Sequence, residues 1–203
     1  GVAIPVTVKH RIGIDKVEEY DYLRNFVEVV AAAGCQTFIV HARNAILKGL
    51  SPKQNREIPP LKYDYVYRLK QERPELEIII NGGITTLAQT DEHLRHVDGV
   101  MIGREAYHNP YLLVDADRRY YGDNHPQPSR AEIIEALMPF VEKEVKDGVP
   151  LKIITRHILG LFQGMRGARY WRRQLSDHVL LKPNKPQLIM QTLQQMLAQQ
   201  DVE

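Results

Sequence analysis

Four short apolar runs, each followed by an amphipathic stretch, occupy the first half of this chain. They lie at residues 4–9, 38–41, 77–81 and 99–102, and their cores VTV, FIV, III and GVMI are rich in β-branched residues. Such runs are typical of strands covered on both faces, and their alternation with helices is typical of a parallel sheet. The sequence therefore predicts an α/β fold built from four βα units.

Apolar residues at helical spacing fill the connections between these runs. Tyr20, Leu23 and Val27 predict a helix over residues 17–33, and Gly34 supplies a stop just past its end. Further helices are expected over residues 63–72, 86–96 and 111–121. Each predicted strand thus has a helix after it.

A polar, proline-bearing segment, GDNHPQPS, begins at Gly122 and predicts a linker over residues 123–129. It separates a first domain at residues 1–122 from a second at residues 130–203. Ser129 and Glu132 have the spacing of a capping box ahead of an apolar helical pattern, and no strand pattern follows. The second domain is predicted to be all-helical, with helices near residues 130–147, 150–164, 167–176 and 186–200.

Composition excludes several classes of protein. Cys35 is the only cysteine among 203 residues, so neither an internal disulfide nor a multi-cysteine metal site can form within the chain. No apolar run approaches the roughly 20 residues of a membrane span, and the first residues lack a secretory pattern, so we expect a cytoplasmic protein. The net charge of +2 is too small to indicate a nucleic-acid partner by itself. Because Gly1 opens directly on an apparent strand, we interpret the chain as a fragment.

Polar or glycine-rich residues end every predicted strand. In chain order they are Lys9, then His41, then Asn81, Gly82 and Gly83, and finally Gly103 and Arg104. Ligands of parallel βα folds bind beyond the carboxyl ends of the strands. Glycine backbone and an arginine fork suit a phosphate, a lysine suits negative charge on a ring, and a histidine can bond a cofactor or substrate. Each residue alone also fits a turn or a solvated strand end, but the two glycine motifs on consecutive units favour a phosphate site.

Basic residues concentrate in the second domain between residues 152 and 185, where Asp177 is the sole carboxylate. They are Lys152, Arg156, Arg166, Arg169, Arg172, Arg173, Lys182 and Lys185. Tyr170 and Trp171 lie among them, and they either offer stacking surface or, for Trp171, turn into the core. Basic and aromatic residues together are typical of a nucleic-acid face.

Two more basic residues, Lys53 and Arg56, lie in the long loop SPKQNREIPP after the second strand. They are either ordinary solvated charges or, at the rim of the ligand face, contacts to a large polyanionic substrate.

Long co-linear motifs resemble those of tRNA-dihydrouridine synthases over nearly the whole chain. They are VTVKHRIGID, TFIVHARNAILKGLSPKQNREIPPL, IIINGGI, DGVMIGREAYHNPYLL and RHILGLFQGMRGARYWRRQLS. The likeness is closest to the bacterial A subfamily, which acts on D-loop uridines at tRNA positions 20 and 20a. It implies the C-terminal half of an FMN-binding TIM barrel followed by a helical tRNA-binding domain.

The resemblance also implies roles for individual residues. Lys9 and His41 match flavin contacts; Asn81, Gly82, Gly83, Gly103 and Arg104 match the side that holds the FMN phosphate. NADPH is the implied reductant, and reduced flavin is expected to deliver hydride to a uracil flipped out of the tRNA. Positions matching tRNA contacts are Lys53, Arg56, Arg169 and Arg172.

One departure from the family pattern is large. The first half of the barrel is absent, together with the cysteine that protonates uracil in the family. Cys35 does not replace that residue, because it stands six residues before His41, about 20 Å from the ligand face at the rise of a strand. We therefore expect the isolated chain to be inactive, and to need its missing half, a second copy or a partner for stability.

The sequence also fits two other functions. An FMN barrel oxidoreductase acting on a small metabolite would use the same strand ends, but it leaves the basic helical domain without a role. A non-catalytic RNA-binding module would explain the basic domain, but it leaves Lys9, His41 and both glycine motifs unexplained.

Overall fold

The computed structural model describes residues 4–17 and 19–199. The chain divides into two compact units, residues 1–103 and residues 104–203. Each unit has its own buried apolar cluster, so each is described by itself.

The first unit contains a four-stranded parallel sheet in the order β1-β2-β3-β4. Its strands are β1 (Val8–Arg11), β2 (Thr37–His41), β3 (Glu77–Asn81) and β4 (Gly99–Met101). The connections carry helices α1 (Tyr20–Ala32), α2 (Tyr63–Glu72) and α3 (Leu87–Leu94), and a short 3-10 turn at Gln54–Arg56. The predicted α/β fold with a parallel sheet is confirmed.

Alternating residues of the central strands form the core of this unit. Phe38 and Val40 of β2 and Ile78 and Ile80 of β3 are fully buried, and they pack with apolar residues of α1 and α2. Strand side chains alternate between the two faces of a sheet, so the intervening residues face the other side. The core therefore lies between the sheet and the helices that follow its strands.

The first strand lies later in the sequence than predicted. The apolar pattern predicted residues 4–9, whereas β1 runs from Val8 to Arg11 and its first pair is Val8 with Phe38. Ile4 and Val6 are exposed. Because β2 begins only at Thr37, the residues before Val8 have no described strand beside them. Lys9 is consequently the second residue of β1 and not its end.

The described residues of the second unit form helices and turns. The helices are α4 (Arg104–His108), α5 (Ala116–Tyr121), α6 (Arg130–Lys146), α7 (Leu151–Thr155), α8 (Ala168–Ser176), α9 (His178–Leu181) and α10 (Gln187–Ala198). A 3-10 helix at Pro110–Asp115 precedes α5, so the predicted continuous helix over residues 111–121 is wrong in its first half. Trp171, Ile134, Leu151 and Ile189 are fully buried at the centre of the unit.

The capping box predicted before α6 is present. Ser129 Oγ accepts from the Glu132 backbone N–H at 3.2 Å, and Glu132 Oε2 accepts from the Ser129 N–H at 2.7 Å. The predicted helix over residues 150–164 is shorter than expected, because α7 ends at Thr155 and turns follow. A Cβ on Gly160 would lie 2.3 Å from the His108 carbonyl oxygen. The backbone approaches too closely there for any other residue.

Residues 104–121 pack with the helices of the second unit. Arg130 lies over the ring of Tyr111 at 3.7 Å, and the Tyr111 hydroxyl donates to the Pro128 carbonyl at 3.1 Å. The domain division predicted at residues 122 and 130 stays a prediction, because compactness alone does not define an inherited domain. Among the described residues, no helix is long and apolar enough to cross a membrane.

An ion pair at the start of β4 joins three elements of the first unit. Asp98 Oδ2 accepts from the Ile78 N–H at 2.8 Å and lies 2.8 Å from Lys70 Nζ. Burial favours a higher pKa for Asp98, but these two hydrogen bonds outweigh it and hold the pKa below its ordinary value of 3.8.

We predict that Asp98→Asn lowers the free energy of unfolding by about 1 kcal/mol at neutral pH, a modest loss because the pair is partly solvated. A carboxylate with a depressed pKa stabilises the fold above its unfolded pKa and loses that effect in acid. The difference between wild type and variant should therefore close below about pH 4, as measured by urea unfolding across pH. Glu19→Gln, an exposed change in the same unit, is the control; a loss independent of pH would contradict the ion-pair explanation.

Candidate functional site

The carboxyl edge of the sheet brings the ends of all four described strands into register. Arg11 is the Cα partner of His41, His41 is the partner of Asn81, and Asn81 is the partner of Met101. Lys9 lies two residues before Arg11, so both side chains belong to the same face of β1. The predicted site residues of these strands therefore meet at one edge.

Asn81 is the centre of this edge. Its side chain is only 7% exposed. Its Oδ1 accepts from Lys9 Nζ at 3.3 Å, and its Nδ2 donates to the Met101 carbonyl at 2.7 Å. Gly103 lies beside it, since a Cβ on Gly103 would be 3.9 Å from Asn81 Nδ2. One buried amide thus links β1, β3 and β4.

Gly82 and Gly83 form a turn directly after β3 in which both residues have positive φ, +119° and +70°. A Cβ on Gly82 would be 3.2 Å from His41 Cε1, and one on Gly83 would be 2.7 Å from Leu61 Cδ1. The Tyr63 hydroxyl fixes the turn by donating to the Gly82 carbonyl at 2.7 Å. Successive backbone N–H groups in such turns make concavities that bind anions.

Lys9 supplies the positive charge at this edge. Burial and then the neighbouring Arg11 lower the pKa of Lys9 from its ordinary value. Lys9 is nevertheless exposed on one side, so its ammonium can contact a ligand while Asn81 holds it.

Arg11 holds the loop after β2 and was missed by sequence reasoning. Its Nη1 donates to the Asn44 carbonyl at 2.7 Å and to the Asn55 carbonyl at 2.8 Å. Burial, with Arg43 and Arg56 nearby, lowers the pKa of Arg11. Arg11 could have been predicted from its spacing, because residues two apart in a strand lie on the same face and Lys9 was already assigned to the site.

Asn55 and Arg43 complete the support of the same loop. Asn55 exchanges side-chain hydrogen bonds with the N–H and carbonyl of Ile46, and Arg43 donates to the carbonyls of Glu57 and Pro59. No local pattern in the sequence identifies these contacts. Lys53 and Arg56 lie on this supported loop and are exposed.

Helix α8 carries two further predicted residues, Arg169 and Arg172. The expectation that Trp171 provides stacking surface is wrong, because Trp171 is fully buried and its Nε1 donates to the Ile158 carbonyl at 3.0 Å. The other interpretation, that Trp171 turns into the core, is confirmed. Tyr170 is half-buried, and its hydroxyl bonds Gln195.

A family model described as "Dihydrouridine synthase (Dus)" matches residues 1–199 of the chain. The chain belongs to the dihydrouridine synthase family. The predicted family resemblance is confirmed.

Curated relatives extend this match to named proteins. The chain is 56% identical over 193 residues to a protein of Synechocystis sp. named tRNA-dihydrouridine(20/20a) synthase, covering 95% of this chain and 58% of that one. Proteins of the same name from Shewanella oneidensis and Vibrio parahaemolyticus are 56% and 50% identical, covering 87% and 97% of this chain and 53% and 60% of theirs. The chain thus spans between half and three fifths of the length of these relatives.

In this member of the dihydrouridine synthase family, the first unit gathers six predicted residues at one edge: Lys9, His41, Asn81, Gly82, Gly83 and Gly103. Arg104 opens α4 and belongs to the second unit. Cys35 lies two residues before β2, and its Sγ is 3.4 Å from the Thr37 carbonyl. It is thus at the amino end of the sheet, as expected.

We predict that Gly82→Ala lowers the free energy of unfolding by about 2 to 3 kcal/mol, because the new Cβ adds crowding to a strained backbone. The matched control is Gly49→Ala, whose φ of +89° is also positive but whose Cβ would meet nothing within 4 Å; we expect it to cost about 1 kcal/mol. Denaturant unfolding measures both. Equal losses would mean that crowding of the new Cβ by Leu61 and His41 does not matter.

Proposed function

We propose that this chain is the flavin-holding and RNA-docking part of an enzyme that reduces uridine to 5,6-dihydrouridine at positions 20 and 20a of the tRNA D-loop. The observation that carries the proposal is the edge formed by Lys9, Asn81, Gly82 and Gly103 in a chain of the dihydrouridine synthase family. The name shared by the relatives, tRNA-dihydrouridine(20/20a) synthase, suggests the substrate and the positions.

The residues at the edge fit FMN. Gly103 leaves space where a Cβ would project beside Asn81, and the Gly82–Gly83 turn presents backbone without side chains. Both features allow close approach of an anion, which suits the FMN phosphate, with Arg104 as a further cationic partner. Bound FMN, reduced by NADPH, would supply the hydride.

The remaining roles belong to the chain's own residues. We assign Lys9 to stabilise negative charge on the flavin ring, since the hydrogen bond to Asn81 holds its ammonium at the edge. His41 is assigned as a second contact to the flavin, because its ring lies against Gly82.

For the tRNA, we assign Lys53, Arg56, Arg169 and Arg172. Lys53 and Arg56 are exposed on a loop that Arg11 and Asn55 hold in place. Arg169 is exposed on α8, and Arg172 donates to Gln163 Oε1 at 3.1 Å and has no acidic partner within the described residues. Cations of this kind neutralise backbone phosphates.

The domain assignment follows the same proposal. Residues 1–122 would be the second half of an FMN-binding TIM barrel, residues 123–129 a linker, and residues 130–203 a helical tRNA-binding domain. A cytoplasmic location and the inactivity of these 203 residues alone stay predictions; turnover assayed on unmodified tRNA tests the second.

A titration of FMN tests the cofactor site. We predict that Gly103→Ala weakens FMN binding by about tenfold while leaving the melting temperature unchanged, because its Cβ would make only a contact of 3.9 Å with protein. Lys9→Gln should weaken FMN binding similarly, whereas Lys16→Gln, an exposed control, should not. Unchanged quenching of flavin fluorescence in both site variants would overturn the assignment.

A second prediction concerns tRNA. Replacing Arg169 and Arg172 together by glutamine should weaken binding of an unmodified tRNA transcript and flatten the dependence of log affinity on log salt by about 1.5 to 2. The control is Lys143→Gln with Lys146→Gln on α6, which removes the same charge elsewhere in the second unit. Equal salt slopes for the two double variants would contradict an arginine docking face.

A further inference from the structure

A cavity of about 500 Å³ opens in the second unit between the start of α7, the end of α8, and α9 with the turn that follows it. Its polar lining consists of Lys152, Ser176, His178, Lys182 and Asn184. Among the described residues that line it, none carries a carboxylate. Pro150, Leu151 and Leu181 complete the lining, so the walls of the pocket are largely apolar, while its charged groups are the two cations Lys152 and Lys182.

The two lysines are exposed, and within residues 4–17 and 19–199 neither forms an ion pair. Asp177 lies in sequence between the pocket residues Ser176 and His178, and its Oδ1 caps α9 by accepting from the N–H groups of Val179 at 2.8 Å and Leu180 at 3.2 Å. No acidic side chain among the described residues therefore neutralises Lys152 or Lys182 in an ion pair.

Asn184 adds a neutral donor. Its Oδ1 accepts from the Leu151 N–H at 2.6 Å, which fixes which end of the amide is oxygen. Its Nδ2 has no hydrogen-bond partner in the described part of the chain. The Ser176 hydroxyl, by contrast, donates its hydrogen bond to the Arg172 carbonyl at 2.7 Å. The groups left to a ligand are mainly donors, which suits an anion.

The pocket continues the arginine face of α8. Arg169, Arg172 and Ser176 are spaced i, i+3 and i+7, so they share one face of the helix. The buried residues Ala168, Trp171 and Leu175 occupy another face. From Arg169 to Ser176 the helix rises about 10 Å, so an extended polyanion can contact both the arginines and the pocket.

We propose that this pocket is a binding subsite for phosphates of the RNA backbone, reached by the strand that also contacts Arg169 and Arg172. The inference rests on the proposed tRNA function and extends it to residues that had no role there. A small phosphorylated molecule, such as a pyridine nucleotide, would fit the pocket alone and would leave the adjoining arginine face unused.

The test uses the full chain with Lys152→Gln and Lys182→Gln combined, and an unmodified tRNA transcript as the probe. We expect binding to weaken by about tenfold in low salt and the salt slope to fall by about 1.5 to 2, as loss of two phosphate contacts requires. The matched control, Lys143→Gln with Lys146→Gln, should change affinity less than about twofold, since those lysines lie outside the pocket.

Comparison with the Arg169→Gln, Arg172→Gln double variant distinguishes the pocket subsite from the tRNA-binding function on which it rests. If Arg169→Gln with Arg172→Gln weakens binding but the pocket variant behaves as the control, the pocket inference is overturned and the tRNA function stands. If neither pair affects binding, the assigned tRNA face itself is wrong.

Chemical footprinting supplies a measurement on the unmutated chain. Lysine acetylation read by mass spectrometry should show Lys152 and Lys182 protected by tRNA, with Lys143 and Lys146 unprotected. Protection of the pocket lysines by NADPH and not by tRNA would overturn the inference in favour of a nucleotide site.

Discussion

The amide of Asn81 holds the ends of three strands in one arrangement. Its side chain, almost fully buried, accepts from Lys9 on β1 and donates to the carbonyl of Met101, the last residue of β4. A buried amide without partners is costly, so both bonds have to form for this edge to exist. The position of the Lys9 ammonium and of the backbone at the end of β4 follow from that requirement, while the Tyr63 hydroxyl fixes the adjoining turn at Gly82.

The loop after β2 depends on a second arrangement of the same kind. Arg11 reaches from the end of β1 to backbone carbonyls at both ends of the loop, and Asn55 closes it on Ile46. Arginine suits this task because its several N–H donors lie in one rigid plane. A residue at the sheet edge thus shapes the exposed segment that carries Lys53 and Arg56.

The local sequence pattern was sufficient to predict an element's bounds where apolar periodicity and intrinsic propensity indicate the same secondary structure. Both β3 and α2 have the predicted bounds, because an isoleucine run and an amphipathic stretch each permit one interpretation. The pattern was insufficient where a neighbouring strand sets the bounds of an element. Ile4 and Val6 are as typical of a strand as Val8, but β1 starts at Val8, where pairing with β2 begins. Trp171 was ambiguous because its amphipathic helix offers both a basic and a buried face. At the site, strand-end residues could be predicted from topology, but Tyr63 and Asn55 act through contacts distant in sequence that no spacing encodes.

The burial of Trp171 has a consequence for how α8 meets a partner. Its ring packs on Phe162 with centroids 4.7 Å apart, and its indole nitrogen is anchored to the Ile158 carbonyl. The backbone beneath the arginines is therefore ordered by the core before any ligand arrives. Association then restricts only the rotamers of long side chains, about 0.5 to 1.5 kcal/mol each, and not the dihedral freedom of a folding segment. A face preorganised in this way can release a partner quickly without losing its own shape, which would suit the RNA docking proposed for this helix.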